Sequence, residues 1–283
     1  MYFKSRLIFK ANRCMALKTD GGFIREEYND DKVSIYVIDI KEISDELRQT
    51  MDKFIVSICE GPQETIFTID DVKEEIRSFI LEKRPKNDND TGRNTHTYIG
   101  AIAEFFIHLF LNYVGFKQEC LYLNLEERSI KKGFDGYYSF DDKTWIVESK
   151  SGYENSEGAT HTNKLKMGYK QLKEKITSSN SSLNNPWKNA LNHAKIVASN
   201  QDILKELQVF SRQYIRGEIN NNIEDFNLIP CSTIYYMNDW GENKTAIMEN
   251  VKEILQDLKC KNLKIICINK QFKKLFLEYL GVH

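Results

Sequence analysis

The run Phe134-Asp135-Gly136-Tyr137-Tyr138-Ser139-Phe140-Asp141-Asp142-Lys143-Thr144-Trp145-Ile146-Val147-Glu148-Ser149-Lys150 decides how this chain is read. On a strand, side chains alternate, so Trp145, Val147 and Ser149 share one side while Ile146, Glu148 and Lys150 share the other. Asp141-Asp142-Lys143 has turn composition, which predicts a β-hairpin over 134–150. Folding back on that turn brings Asp135 within one or two registers of residues 148–150. Two carboxylates and an ammonium then converge at one end of a sheet. Two acids, together with waters and a backbone carbonyl such as that of Ser149, suit a hard divalent cation: Mg2+, with Mn2+ as an alternative. A lysine beside them suits a phosphate or a metal-bound water. The bland alternative is a surface hairpin on which Glu148 and Lys150 merely pair.

Upstream, Ile99 to Tyr113 is almost wholly apolar over four turns, interrupted by Glu104, His108 and Asn112. Their i, i+4, i+8 spacing puts all three on one side of a helix. A carboxylate buried in so apolar a helix needs a cation. Glu104 therefore either meets a buried lysine or arginine or faces the Asp135/Glu148 cluster. His108 reads as a core or groove histidine before a catalytic one. Downstream, a loop from Ser151 to Gly158 is expected to bend over a groove, and a helix from about Thr162 to Lys175 follows. Its Lys164, Lys166, Lys170, Lys173 and Lys175 face one acid, Glu174. That helix is either an ordinary solvated face or a set of phosphate contacts, with Gln171 a weaker candidate for the same role.

Asp135, a gap of twelve residues, then Glu148-Ser149-Lys150 on the following strand resembles the PD-(D/E)xK nuclease superfamily. Gly133-Phe134-Asp135-Gly136, the strand Trp145 to Lys150, and the preceding Gly100-Ala101-Ile102-Ala103-Glu104 resemble more narrowly the nuclease-subunit family of the Hachiman anti-phage defence system. The likeness covers residues 95–175, close to a third of the chain. Phe134 stands where the superfamily has a proline. The resemblance implies an α/β (α+β) fold, a restriction-endonuclease-like core with a mixed central sheet flanked by helices. It implies a Mg2+-dependent deoxyribonuclease with Asp135, Glu148 and Lys150 as the catalytic set. Asp135, Glu148 and the Ser149 carbonyl would hold the metal, with Glu104 as accessory acid. It implies a heterodimer with a DExH-type superfamily 2 helicase and a DNA substrate. No GxxxxGK[ST] sequence occurs, so ATP hydrolysis would fall to that partner.

The chain has 283 residues, room for one large domain or a core with an accessory piece. The formal net charge is only −1, so a nucleic acid must be gripped by a local basic patch or by a partner. Six cysteines without a CxxC pair argue against a zinc knuckle or a disulfide framework and read as buried thiols of a cytoplasmic protein. The alternating start Tyr2-Phe3-Lys4 does not read as a signal peptide, and no run of eighteen apolar residues exists.

Residues 1–90 read as an α+β front section, either structural or partner-docking, and 91–283 as the nuclease-like domain. In the front section strands are expected over 2–10, 33–40 and 54–59, with a polar Gly-containing segment between the first two. A helix starting at the Thr68/Asp71 capping box runs to about Leu81. Residues 82–97 are expected as a loop. A serine- and asparagine-rich linker over 178–185 precedes a helical region from Trp187 to Ile215, broken near Ser199-Asn200. Then come a strand over 229–237, a helix over 245–258, a strand over 263–268 and a closing helix over 272–280, implying α/β layering. Two further functions compete. A sequence-specific restriction endonuclease would need a base-reading helix, for which 187–215 is too weakly basic. A non-catalytic adaptor would keep the fold and bind a helicase or DNA.

Overall fold

The computed structural model describes residues 16–63, 65–82, 93–122, 133–178, 185–237, 244–271 and 274–282. Its frame is a mixed eight-stranded sheet with helices on both faces. The strands are β1 (Ala16–Asp20), β2 (Phe23–Asn29), β3 (Val33–Ile40), β4 (Lys117–Gln118), β5 (Gly136–Phe140), β6 (Lys143–Tyr153), β7 (Asn227–Tyr236) and β8 (Asn262–Gln271). They lie in the order β1-β2-β3-β8-β7-β6-β5-β4. The middle four, β3, β8, β7 and β6, run parallel, and antiparallel strands extend both sides. All ten residues of β7 are buried, as expected for a strand covered on both faces. Pro230 sits inside it, and no β7–β8 pairing is formed at Ile229 and Pro230. Proline has no N–H to give to the ladder, and the interruption lies directly beside Glu148, the β6 partner of Pro230.

One face of the sheet carries α1 (Asp45–Glu60), α2 (Ile69–Glu82), α3 (Arg93–Tyr113) and α8 (Lys274–Tyr279), through Leu47, Ile55, Ile76, Phe105 and Phe276. The other carries α4 (His161–Thr177), α5 (Pro186–Ile196), α6 (Gln201–Arg216) and α7 (Lys244–Glu253), through Leu165, Leu172, Trp187, Leu207 and Ile247. Among the described residues no helix is long and apolar enough to cross a membrane.

The hairpin forms as the sequence predicts. Phe140 pairs with Lys143 across a two-residue loop in which Asp141 (φ 47°) and Asp142 (φ 54°) are both left-handed. That is the geometry of a type I′ turn, which aspartate tolerates. Strand β3, the Thr68/Asp71 capping box and the break before Asn200, whose side chain caps α6, also match the sequence reading.

Four expectations are corrected. Residues 54–59 belong to α1, not to a strand. Ser44 caps the helix, and Leu47, Met51, Ile55 and Ile58 form its buried stripe. Helical spacing from an N-cap outweighs the β-branched run at the helix end. The polar segment between the expected front strands holds β1 and β2, joined by a turn at Gly21-Gly22 (φ 56° and 78°). A side chain at Gly22 would collide with the Leu47 backbone at 2.4 Å. Helix α3 begins at Arg93, inside the expected loop. Ser151 to Tyr153 continue β6, paired with Thr233 to Tyr235, so the expected loop is shorter. The expected strand over 2–10, most of the 82–97 loop and most of the 178–185 linker lie outside the described residues.

The 1–90 section shares the sheet with the rest of the chain, since β3 pairs with β8 from Val33↔Leu263 to Ile40↔Lys270.

Candidate active site on strand β6

Alternation on β6 follows the sequence reading. Trp145 and Val147 pack into the core under α3, and Ile146 into the core under α4. Glu148 and Lys150 therefore point to the α4 side. Asp135 sits one residue before the Gly136↔Val147 pair, where β5 leaves the ladder. Its N–H donates to the Val147 carbonyl (3.2 Å), and its Oδ2 accepts from the Ser149 N–H (2.7 Å). The carboxylate thus takes over the hydrogen-bonding job of the departed strand and is fixed beside Glu148.

Glu148 is 1% exposed. Lys150 Nζ donates to its Oε1 (2.8 Å) and to the Ser149 carbonyl (3.0 Å). Lys175, in the last turn of α4, donates to Oε2 (2.6 Å) and to the Gly133 carbonyl. Burial raises the Glu148 pKa, and the neighbouring Asp135 charge raises it further, against the pull of the two lysines. Burial acts to lower the Lys150 pKa, but Glu148, Asp135 and, more weakly, Glu104 outweigh it and raise the pKa overall. Lys150 is therefore a firm ammonium in this arrangement.

Helix α4 lies close to this strand through a stripe at 164, 168, 171 and 175, the 4-3-4 spacing of one helix face. Gly168 makes the approach possible: a Cβ there would stand 3.4 Å from the Glu148 carbonyl oxygen. Lys164 crosses Gly152, where a Cβ would meet its Cε at 2.8 Å. Burial, with help from Lys150, lowers the Lys164 pKa. Gln171 is half-buried on the same stripe. Lys166, Lys170 and Lys173 point outward instead. Lys166 pairs with Asp257 (3.4 Å), Lys170 with Glu174 (3.9 Å), and Lys173 is exposed. The five lysines grouped from sequence as a basic helix are thus two sets: Lys175 meets the Glu148 carboxylate and Lys164 lies over Gly152 near Lys150, while the other three point outward.

Glu104 is half-buried on α3, in the helix layer across the sheet, and its charge reaches Lys150, Tyr122 and Tyr235. Among the described residues no three His, Cys, Asp or Glu side chains gather closely enough to hold a metal ion, so Asp135, Glu148 and Glu104 do not form a three-acid cage. His108 is a core histidine, buried with Nδ1 against the Tyr138 hydroxyl. Asn112 ties its own helix to Gln118 (2.8 Å). The i, i+4, i+8 polar stripe therefore divides into three separate roles.

The donor set fits a hard divalent cation in kind, being all oxygen: the Asp135 and Glu148 carboxylates and the Ser149 carbonyl. Both Glu148 oxygens and that carbonyl are presently engaged by ammonium groups.

Sequence reading missed Lys175 as a direct partner of Glu148, although its place on the 164/168/171/175 stripe was a usable signal. It also missed a buried polar chain that begins at Ser232, the β7 partner of Lys150, and runs toward the carboxyl ends of β8 and β3. His161 Nδ1 meets Ser232 Oγ (2.7 Å), and its Nε2 meets Asn269 Oδ1 (2.9 Å). Asn269 donates to Asp39 (2.8 Å), which also takes Lys244 Nζ (2.5 Å). Nearby, Lys270 is fully buried over the Phe106 ring at 4.2 Å, with burial lowering its pKa to about 7.

No family model matches the sequence, and no curated protein or solved structure matches it either.

Proposed function

We propose that this protein is a metal-dependent nuclease that hydrolyses phosphodiester bonds in DNA on a PD-(D/E)xK core. The observation that carries the reading is the meeting of Asp135, Glu148 and Lys150 at one place on β6, facing the cationic stripe of α4. Asp135, Glu148 and the Ser149 carbonyl are the groups that would hold Mg2+ or Mn2+. Such an ion, when bound, supplies an activated water and neutralises charge on the scissile phosphate. Lys150, firmly protonated beside two carboxylates, serves to hold a phosphate oxygen or the attacking water in place; removing a proton is the lesser of its two sequence-derived roles. Lys164 and Gln171 are placed for the adjoining backbone, and the outward Lys166, Lys170 and Lys173 can add only sequence-independent grip. Action in anti-phage defence beside a DExH-type superfamily 2 helicase rests on the sequence resemblance. The net charge of −1 supports it to the extent that a partner must supply DNA affinity.

The test is cleavage of plasmid, linear duplex and single-stranded DNA with Mg2+ or Mn2+, alone and with a co-expressed helicase subunit. Cleavage abolished by EDTA, by Glu148→Ala and by Lys150→Ala, with the circular dichroism spectrum unchanged, is the expected result. Full activity in Glu148→Ala would end the mechanism. A second reading is a non-catalytic adaptor, favoured by one observation: two lysines already satisfy Glu148 without any metal. DNA or helicase binding with no cleavage under any of these conditions would select it.

A further inference from the structure

We propose that Lys175 is a resident cation standing in the divalent-ion position at Glu148, so that metal binding requires its withdrawal; this rests on the nuclease reading above. Its ammonium lies 2.6 Å from Glu148 Oε2 and also takes the Gly133 carbonyl, two oxygens that converge as cation ligands do. Lys150 occupies the other Glu148 oxygen and the Ser149 carbonyl. Asp135 and Glu148 supply two negative charges and the two lysines two positive ones, so the hairpin end is neutral as it stands. Adding a divalent ion beside both ammonium groups would place three cations on two carboxylates, a repulsive arrangement in a buried site. Exchange of one ammonium for the ion removes that repulsion.

Lys175 is the group suited to leave. It comes from a different element, in the last turn of α4, and its four-carbon stem can swing the charge to solvent without moving the helix. Lys150 stands on β6 itself, two residues from Glu148, and is held by the strand. The sequence offers the same hint, since α4 places Lys175 where its stripe ends against Glu148. An ammonium held at Glu148 gives the protein a low affinity for metal and hence a low activity, which suits a nuclease with no evident sequence preference.

The experiment measures Mn2+ binding by calorimetry and by electron paramagnetic resonance, together with the Mn2+-induced rise in Tm. The proteins are the full chain and its Lys175→Met, Lys175→Gln, Lys175→Arg, Lys164→Met and Glu148→Gln variants. Lys175→Met or Lys175→Gln is expected to bind Mn2+ at least tenfold more tightly and to gain more Tm from it. Lys175→Arg should stay as weak as the unaltered protein, and Glu148→Gln should bind least. Lys164→Met removes a nearby charge that does not touch Glu148 and is expected to change affinity less than threefold. Equal or weaker binding in both neutral Lys175 variants overturns the inference while leaving the metal site intact. An equal gain in Lys164→Met also overturns it, as general electrostatics. No Mn2+ binding in any variant at millimolar concentration overturns the metal-dependent reading itself.

Discussion

Asp135 has two jobs that can be separated by one atom. Its Oδ2 accepts the Ser149 N–H at 2.7 Å, closing a ladder position that β5 has vacated, and its charge raises the pKa of the buried Glu148. Asparagine keeps an oxygen for the N–H and drops the charge, whereas alanine loses both. Asp135→Asn is therefore expected to keep stability to within about 1 kcal/mol, and Asp135→Ala to lose about 1–2 kcal/mol, the usual penalty for a backbone N–H left without its acceptor. Both should lose DNA cleavage. Urea unfolding of the two variants, run beside the cleavage assay, checks the separation. A fully active Asp135→Asn would reduce this carboxylate to a structural cap. Residues 134–150 were legible at this scale because their contacts are local: a two-residue turn and strand alternation fix which side chains meet. Lys175 was harder to assign, because its partner is 27 residues away: its stripe on α4 is a signal in the sequence, but only the folded position of the helix shows which carboxylate it meets.

At the scale of elements, α4 decides the site, since it presents Gly168, Lys164 and Lys175 to β6. Its N-terminus is pinned by His161, wedged between Ser232 on β7 and Asn269 on β8. Burial lowers the His161 pKa to about 4 from an ordinary 6.5, outweighing the favourable Asn269 contact and the Asp39 charge. The fold therefore favours the neutral ring. Stability from this group is fully present above pH 6.5 and is lost as pH falls toward 4, because the unfolded chain takes up the proton first. The expected result is a falling Tm between pH 6.5 and 4, flattened in His161→Asn. An equal decline in that variant would assign the acid sensitivity to other groups. The sequence could not disclose this chain of contacts, whose members lie up to 230 residues apart and carry no periodic signal. Helix α1 was misread for a different reason. Phe54 to Cys59 is short, apolar and β-branched, which suits a buried strand and a buried helix turn equally; the Ser44 cap and the Leu47/Met51/Ile55/Ile58 spacing resolve it.

For the whole molecule, the question is whether the chain divides near residue 90. Strand β3 is an interior strand of the one sheet, between β2 and β8, with Ile35, Val37, Ile38 and Ile40 all at most 1% exposed. Helices α1 and α2 add Leu47, Met51, Ile55, Ile58, Val72 and Ile76 to the core that also holds Phe105 and Phe106 of α3. A fragment of 91–283 would expose β8 as a long, flat, apolar edge and uncover the outer face of α3. Such an edge pairs readily with other chains. The fragment is therefore expected to aggregate or to lose cooperative unfolding, while the full chain unfolds in one transition by both circular dichroism and tryptophan fluorescence. The three tryptophans, Trp145, Trp187 and Trp240, all lie after residue 90, so fluorescence reports on the 91–283 part in both proteins. A soluble, cooperatively folding 91–283 fragment that still binds Mn2+ would support the boundary expected from the sequence. It would also release the N-terminal strands from a structural duty and leave partner docking as their main role.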